Sequence, residues 1–329
     1  MSAHNKKLLL LGVPVGLLIV FLLGPRAGVE ARWVDPDLPA DLDAYVAEEE
    51  ARVPGIRPGD EKTIVWADSV EPSVTPLSLV YLHGFSADRH EVEPVVSEVA
   101  EALGANVFFT RLRGHGRDAD AMGEASAEDW LDDAAEAVAI GGYIGERVVL
   151  MGTSTGGTLA VWAATRPEAV DRIAAVVLVS PNLGVQDPAA PLLLWPWGGV
   201  IGRLVVGPER CFEPKNAEQE RHWTTCYPPG ALLPMMALVD HVRSLPEGSL
   251  SEPTLVLYAR GDQVVSPEQT ETVMARLSAG EAEMHVVEGA GDPEQHVIAG
   301  AIMSPETTEA VRTEILDFLA PLTEGAVAR

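Results

Sequence analysis

An abrupt change of pattern at residues 147–165 restricts the fold of this 329-residue sequence more than any other feature. Residues 147–151 (Arg-Val-Val-Leu-Met) have high strand propensity, and residues 152–156 read Gly-Thr-Ser-Thr-Gly. The residues that follow are typical of a helix, which Pro167 ends. A strand that turns directly into a helix strains the backbone of the central Ser154, and small neighbours make room for that turn. The pattern predicts a serine hydroxyl lifted clear of a sheet, at a helix N-terminus.

Strand and helix patterns alternate on both sides of this turn. Besides the strand at 147–151, strands are predicted at residues 62–67, 77–82, 105–110, 172–180, 254–258 and 283–287. Helices are predicted at residues 42–52, 92–103, 128–140, 267–278 and 305–319. Nearly continuous apolar strands that alternate with helices indicate an α/β fold with a mostly parallel sheet covered on both faces. The first strand, near the edge of this pattern, is expected to be antiparallel.

The alternation stops between residues 181 and 253, which we interpret as an insertion at about residues 183–250 with a helix at 231–245. Apolar stretches in it contain Trp195, Trp197, Met235 and Met236. One hypothesis is that these four side chains bind an acyl chain, since methionine suits a site that must adapt to its ligand. The alternative is that they only pack the insertion onto the core, and the sequence leaves both open.

Charge and composition exclude some classes of function. The formal net charge is −26, which would repel a phosphate backbone, and no stripe of basic residues offsets it, so nucleic-acid binding is excluded. Cys211 and Cys226 lack the spacing of a metal site, and we expect neither a metal nor a cofactor. In an oxidising compartment the two cysteines could form a disulfide; otherwise they are two separate thiols.

The N-terminus carries the pattern of an export signal. Lys6 and Lys7 precede residues 8–24, which contain no charge, and this arrangement directs the rest of the chain outward. Residues 1–31 are therefore predicted to be either a signal peptide cleaved after Ala31 or an uncleaved membrane anchor, with a slight preference for the anchor. Residues 32–329 are then the catalytic domain, in a periplasmic or extracellular location.

A serine hydroxyl is a weak nucleophile that needs a histidine base and a carboxylate to orient that base. His296 lies in a loop after the last predicted strand, and Asp262 directly follows the strand at 254–258. Both would lie at the edge of the sheet where Ser154 emerges. Asp292 and Asp240 are competing carboxylates, but Asp292 is close in sequence to His296 and Asp240 lies in the insertion. We predict that Ser154, His296 and Asp262 act together.

An oxyanion intermediate needs two N–H donors beside the serine. The backbone N–H of Thr155, directly after the nucleophile, is one candidate. The other is the N–H of Phe85, which follows His83 and Gly84 at the end of a predicted strand. The Phe85 ring could also form a wall of the acyl-binding site. Without the other motifs, residues 83–85 would be an ordinary turn after a strand.

These motifs, in this order, resemble the α/β-hydrolase superfamily and specifically its esterase, lysophospholipase and monoacylglycerol-lipase-like branch. The resemblance covers roughly residues 77–319 and is carried by residues 83–85 (His-Gly-Phe), 113–116 (Arg-Gly-His-Gly), 152–156, 261–262 (Gly-Asp) and His296. It implies a mostly parallel central sheet with helices on both faces, and a helical cap inserted after the family's sixth strand. Ala259 and Gln295 depart from residues that are common in the family, which leaves the substrate open.

The predicted function is hydrolysis of carboxylic esters, either short or medium acyl esters or monoacylglycerol-like lipids, through an acyl-enzyme on Ser154. Amidases, peptidases, C–C bond hydrolases and acyltransferases use the same three residues and remain alternatives. A catalytically silent binding protein of the same fold is a further alternative. The expected partners are a small-molecule or lipid ester and, through residues 8–24, a membrane; the sequence does not determine the oligomeric state.

Overall fold

The computed structural model describes residues 15–280 and 282–327, with side chains up to residue 323. Residues 8–14 of the predicted apolar run at 8–24 therefore lie outside the described residues. The strands are β1 Thr63–Val65, β2 Thr75–Leu82, β3 Asn106–Phe109, β4 Gly145–Thr153, β5 Ile173–Val179, β6 Arg210–Cys211, β7 Cys226–Tyr227, β8 Thr254–Tyr258 and β9 Glu283–Val286. The longer helices are α1 Leu42–Ala51, α2 Val95–Leu103, α3 Ala119–Glu124, α4 Ala127–Ile144, α5 Thr155–Ala164, α6 Gly198–Val206, α7 Ala217–His222, α8 Leu232–Ser244, α9 Pro267–Leu277 and α10 Pro305–Val327.

Seven of the strands form one sheet in the order β1-β3-β2-β4-β5-β8-β9. β1 pairs antiparallel with β3, and the remaining pairs are parallel. β5, with the sequence Ile-Ala-Ala-Val-Val-Leu-Val, is buried along its whole length. Strands of a parallel sheet are covered on both faces, which is why they appear in sequence as continuous apolar runs. The predicted α/β fold with an antiparallel first strand is confirmed.

Two hydrophobic clusters, one on each face, hold the sheet between layers of helices. Side chains alternate along β2, so Val80 and Leu82 belong to the cluster that contains residues of α4, α5 and α8. Leu79 and Tyr81 belong to the other cluster, with residues of α2 and α10. The helices therefore lie on both faces of the sheet, as the resemblance implied.

The carboxyl ends of the parallel strands bring distant parts of the chain together. β2 leads into His83, β4 into Ser154, β8 into the turn that contains Asp262, and β9 into the loop that contains His296. In an open parallel sheet these ends meet along one edge, where ligand sites of α/β proteins lie. The sheet order thus brings together four motifs that lie far apart in the sequence.

The insertion lies between β5 and β8, after the fifth strand in the described chain, so one strand fewer precedes it than the family numbering implied. The predicted helix at 231–245 corresponds to α8, Leu232–Ser244. The sequence analysis missed α6, which has three glycines among its first five residues, and α7, β6 and β7, which are too short to show a periodic pattern. A disulfide joins Cys211 to Cys226 across that strand pair.

Residues 15–22 are helical and their apolar side chains are mostly exposed. Within residues 15–280 and 282–327, no helix combines the length and apolar character needed to cross a bilayer. The segment that follows lies on the protein surface. The Trp33 ring stacks on the Trp162 ring at a centroid distance of 5.6 Å, and the Trp197 N–H donates to the carbonyl of Pro25 at 2.7 Å. The N-terminal segment therefore contacts both the core and the insertion.

Replacing both cysteines with serine should destabilise the protein. The bond joins residues separated by 15 positions, and closing a loop of that length stabilises by about 3 kcal/mol in the chain-entropy model. We expect the Cys211→Ser/Cys226→Ser variant to lose about that much unfolding free energy in denaturant titrations. A reducing agent should bring the wild-type protein to the same value and leave the variant unchanged. Identical wild-type curves with and without reductant would contradict the pairing.

Candidate active site

Ser154 has the strained backbone that the strand–helix pattern predicts, with φ 51° and ψ −115°. A Cβ atom on Gly152 would lie 2.4 Å from the carbonyl oxygen of Gly156, and one on Gly156 would lie 1.9 Å from that of Leu82. Only glycine fits at both positions. The Ser154 N–H donates to the carbonyl of Val179 at 3.0 Å, so the neighbouring strand also holds the turn.

Ser154, His296 and Asp262 form a continuous chain of hydrogen bonds. His296 Nε2 lies 3.0 Å from Ser154 Oγ, and His296 Nδ1 lies 2.8 Å from Asp262 Oδ2. The other carboxylate oxygen of Asp262 accepts the N–H groups of Val264 and Val265 at 2.8 and 2.9 Å. With its Nδ1 proton directed at the carboxylate, the imidazole presents the Nε2 lone pair to the serine hydroxyl. This arrangement can remove the proton of Ser154 as its oxygen attacks an electrophile.

The charge of Asp262 sets the protonation of His296. Burial works to lower the pKa of the imidazole, but the Asp262 carboxylate and its hydrogen bond outweigh burial and raise that pKa above its ordinary value of 6.5. Asp292 and Glu91 act in the same direction. A general base works best when its pKa lies near the working pH, so an upward shift from 6.5 favours proton transfer at physiological pH.

Asp292, a competing carboxylate, binds the backbone of the histidine loop and not the imidazole. Its Oδ2 accepts the N–H groups of His296 and Val297 at 3.0 and 2.9 Å. The preceding Gln295 has a positive φ of 55°, so the loop makes a sharp turn that aims the ring of His296. Asp240, the other competitor, is exposed on α8. The structure therefore brings Asp262, and neither competitor, to the ring.

The turn at the end of β2 lies directly beside the nucleophile. A Cβ atom on Gly84 would lie 3.3 Å from Ser154 Cβ and 2.8 Å from a carboxylate oxygen of Glu91. Phe85 follows this glycine, and Thr155 is the first residue of α5. The two residues predicted to supply oxyanion donors are therefore both near the nucleophile. Thr155 directly follows Ser154, and Phe85 directly follows Gly84, which lies against Ser154.

His83 fastens that turn to the neighbouring loop. Its Nε2 accepts the N–H of Leu112 at 3.0 Å, which leaves the proton on Nδ1, 2.9 Å from the carbonyl oxygen of Gly84. Burial lowers the pKa of His83 to about 4, so the ring stays neutral and keeps both bonds at physiological pH. His83 serves as a structural link between two loops.

Glu91 is a buried residue of the site that the sequence analysis missed. Its Oε1 accepts the Gly84 N–H at 2.5 Å and lies 2.8 Å from the hydroxyl of Tyr81. The Tyr81 hydroxyl is also 2.9 Å from Thr153 Oγ1, next to the nucleophile. Burial raises the pKa of Glu91 to about 8. In sequence this residue is one more acid before a helix, and no motif marks it; its polar network links the turn of Gly84 to the strand that carries Ser154.

The Phe85 ring lies between the core and the insertion. It contacts the rings of Tyr227 in β7, Trp130 in α4 and His115, each in an edge-to-face arrangement, at centroid distances of 5.1, 6.1 and 5.9 Å. Edge-to-face pairs of this kind contribute about 0.5–1.5 kcal/mol beyond area burial. Phe85 therefore attaches the β6–β7 pair to the turn beside the nucleophile.

The four insertion residues predicted to bind substrate occupy two different environments. Met235 and Met236 are buried in the hydrophobic cluster that packs α8 on the core. Trp195 and Trp197 are 51% and 36% exposed, and they contact the N-terminal segment: the Trp197 indole N–H donates to the carbonyl of Val20 at 3.2 Å. Nothing in the sequence indicated that residues 20–25 would contact these tryptophans. Binding of an acyl chain by Trp195 and Trp197 stays a prediction.

The sheet order, the insertion after β5 and the serine on its strand–helix turn define an α/β hydrolase. A profile of the family described as "Serine aminopeptidase, S33" matches residues 76–291, more than half of the chain. The protein therefore belongs to this family of α/β hydrolases. The match includes Ser154 and Asp262 and ends before His296.

The relatives belong to the esterase and monoacylglycerol-lipase-like branch. The chain is 24% identical to a thermostable monoacylglycerol lipase from Bacillus sp. (strain H-257) over 214 residues, which are 64% of this chain and 80% of that protein. A structure described with LipS and LipT, two metagenome-derived lipolytic enzymes, superposes with a TM-score of 0.65 at 21% identity, over 81% of this chain and 99% of that one.

A second lipase structure has the same fold. A soluble variant of the monoglyceride lipase from Saccharomyces cerevisiae superposes with a TM-score of 0.59 at 12% identity, over 79% of this chain and 90% of that one. The family and these relatives make the protein an enzyme of the hydrolase class.

The activity should fall at acid pH as His296 takes up a proton. Because the pKa of His296 is raised, kcat/KM should decline as the pH falls through a value above 6.5. In Asp262→Asn the charge that raises the pKa is gone, so the acid limb should move to lower pH and the rate should drop by about 10⁴-fold. Initial rates between pH 4 and 9, a range of about five units chosen to include the ordinary histidine pKa, measure both effects.

The exposed Asp240→Asn variant is the matched control and should keep the wild-type limb. An acid limb that stays in place in Asp262→Asn would mean that another carboxylate sets the pKa of the base.

Proposed function

We propose that the protein is a serine esterase that cleaves carboxylic esters through an acyl-enzyme on Ser154. The observation that carries the proposal is the chain of hydrogen bonds from Asp262 through His296 to Ser154, at 2.8 and 3.0 Å. A strained, glycine-flanked serine connected to a carboxylate-oriented histidine is the arrangement that acyl transfer needs. The family and the monoacylglycerol lipase relatives support the same reaction class.

In the proposed mechanism, His296 Nε2 accepts the proton of Ser154 as Oγ attacks the ester carbonyl. The N–H groups of Thr155 and Phe85 donate to the oxyanion of the tetrahedral intermediate. His296 then gives its proton to the leaving alcohol, and Ser154 remains acylated. A water molecule, deprotonated by the same nitrogen, attacks the acyl group; the bond to Ser154 Oγ then breaks, His296 returns the proton to that oxygen, and the acid leaves. Asp262 stabilises the imidazolium in both steps and keeps its negative charge throughout.

The proposed substrates are short or medium acyl esters or monoacylglycerol-like lipids. Two of the relatives described above are named as monoacylglycerol or monoglyceride lipases, which supports a lipid ester. Phe85 directly follows Gly84, which lies against Ser154, and its partly buried ring offers an apolar contact for an acyl chain. The buried pair Met235 and Met236 lies on the same side of the sheet, in the cluster against which Phe85 packs.

A peptidase or amidase is the second candidate, and the description of the family as a serine aminopeptidase favours it. The same serine and histidine would attack an amide carbonyl and protonate an amine leaving group. Substrates with ester and amide bonds at the same acyl group separate the two candidates.

Ser154→Ala should abolish turnover, because removing the nucleophile of such a set costs about 10⁶-fold in kcat. The measurement is hydrolysis of p-nitrophenyl esters, from acetyl to palmitoyl, beside aminoacyl p-nitroanilides. Esterase activity that disappears in Ser154→Ala supports the proposal, and the chain length with the highest kcat/KM identifies the acyl preference. Activity on the anilides alone would favour the peptidase. A folded protein without activity on either set would contradict both candidates.

We also propose that the protein is exported and remains attached to a membrane through its N-terminal segment. Exposed apolar side chains of residues 15–23 adjoin the insertion at Trp195 and Trp197. Helix α6, which follows these tryptophans, adds Leu204 and Val205, which are 80% and 73% exposed. Apolar surface of this extent marks an interaction site, and a bilayer would supply both an anchor for residues 8–24 and a lipid substrate.

Leu204→Ser/Val205→Ser should weaken membrane binding of the full-length chain by about 100-fold or more, since burying each such side chain contributes about 1.5–3 kcal/mol and every 1.4 kcal/mol is a factor of ten. Co-sedimentation with phosphatidylcholine vesicles measures the bound fraction; zwitterionic lipid avoids repulsion by the net charge of −26. Val70→Ser, which replaces an exposed apolar residue of another loop, is the control and should bind like wild type. Failure of the full-length wild type to bind the vesicles would contradict the proposed membrane attachment. The mass of the protein recovered from cells distinguishes an uncleaved anchor from a chain that starts at Arg32.

A further inference from the structure

Four side chains from three separate parts of the chain converge outside the candidate active site. Asp60 precedes β1, Asp88 and His90 follow β2, and His222 ends α7 of the insertion. One ligand atom from each, a carboxylate oxygen or an imidazole nitrogen, lies within 4.8 Å of all the others. Asp60, Asp88 and His222 are buried, so this is an enclosed group of polar side chains that bridges the core and the insertion.

The spacing of these atoms fits tetrahedral coordination. His222 Nδ1 lies 3.4 Å from Asp60 Oδ1 and 2.9 Å from Asp88 Oδ2. His90 Nδ1 lies 2.9 Å from Asp88 Oδ1 and 4.0 Å from Asp60 Oδ1. Ligands at about 2.0–2.1 Å from a tetrahedral Zn²⁺ are about 3.3–3.4 Å apart, the middle of this range. Small shifts of the side chains would place one atom from each of the four residues around one ion.

The charges in the cluster also favour a cation. Asp60 and Asp88 bring two buried carboxylates together, and Arg57 is paired with only one of them, Asp60, at a distance of 2.7 Å between Nε and Oδ2. The rings of His90 and His222 stack at a centroid distance of 4.0 Å, an arrangement in which two protonated imidazoles would repel each other. A divalent ion would balance the carboxylates and let both imidazoles bind in their neutral form.

We propose that Asp60, Asp88, His90 and His222 form a structural zinc site that fastens the insertion to the core. Two imidazole nitrogens argue against Ca²⁺ and Mg²⁺, which prefer oxygen ligands, and a complete set of four protein ligands is that of a structural site and not of a catalytic one. The far nitrogen of His222, Nε2, lies 3.8 Å from a carboxylate oxygen of Glu218, and a small rotation of this exposed side chain would make it an outer partner that orients a metal-bound imidazole.

The location of the site would let a bound ion hold the insertion against the core. Thr224, two residues after His222, donates its N–H to the carbonyl of Ser86 at 2.7 Å, so the insertion already contacts the loop that follows Phe85. His90 directly precedes Glu91, which holds the N–H of Gly84. An ion on this cluster would fix the insertion and the turn beside Ser154 in one arrangement.

The experiment measures metal binding by the full-length protein independently of its activity. Protein stripped with EDTA is titrated with ZnCl₂ against a chromophoric chelator, and bound metal is counted after gel filtration. We expect one zinc per chain and a higher melting temperature in zinc than in EDTA, with no such rise in CaCl₂. Co²⁺ at the site should show the intense visible absorption of tetrahedral coordination.

His90→Gln and His222→Gln should each weaken zinc binding by about 100-fold or more, since even loss of an outer partner costs about 10–100-fold. Each should melt like the wild type in EDTA, because glutamine keeps a donor for the carboxylates. His285→Gln is the matched control: this exposed histidine contacts Glu283 and Glu314, and its replacement should leave the zinc count unchanged.

A folded wild type that binds no zinc, or a His90→Gln/His222→Gln variant that binds it as tightly as wild type, would overturn the proposal. In the first case the cluster is an ion-pair network that is balanced by a proton on a histidine. If the variants do not fold, the zinc count and the cobalt spectrum of the wild type still decide the question.

Discussion

The backbone of Ser154 is the constraint on which the rest of the site depends. A non-glycine residue with φ 51° and ψ −115° costs about 1–3 kcal/mol and persists only where its surroundings hold it. Here β5 accepts the N–H of Ser154 through Val179, and the Ser154 carbonyl accepts the N–H of Asn182 at 2.9 Å. Gly156 packs on the carbonyl of Leu82 in β2 with no room for a side chain. The turn is therefore stabilised by the strand neighbours β2 and β5, and it requires the sheet to form in register.

Buried polar side chains then position the loops around this serine by binding their backbone. Glu91 accepts the N–H of Gly84, His83 accepts that of Leu112, and Asp292 accepts that of His296. A buried N–H without a partner costs about 1–3 kcal/mol, so each of these contacts selects one loop conformation over others. The geometry of the nucleophile, base and oxyanion turn thus depends on residues that do not themselves take part in the proposed reaction.

The insertion is attached to the core at several separate places. Phe85 meets Tyr227 of the strand pair that the disulfide closes, and His222 meets the carboxylates of the core close by. Met235 and Met236 pack α8 on the core. The outer face, with Leu204 and its apolar neighbours, stays exposed. The insertion therefore has buried contacts on one face and exposed apolar side chains on the other.

The sequence by itself determined the sheet, because buried parallel strands are continuous apolar runs; the strand predicted at 254–258 is β8 residue for residue. It also indicated Ser154, Asp262 and His296, since each follows a predicted strand and strand ends meet at one edge. Tertiary structure alone decided that Glu91 binds the turn at Gly84 and that the two cysteines pair. These outcomes depend on contacts between distant residues and on the direction of individual loops, and neither leaves a periodic pattern in the sequence.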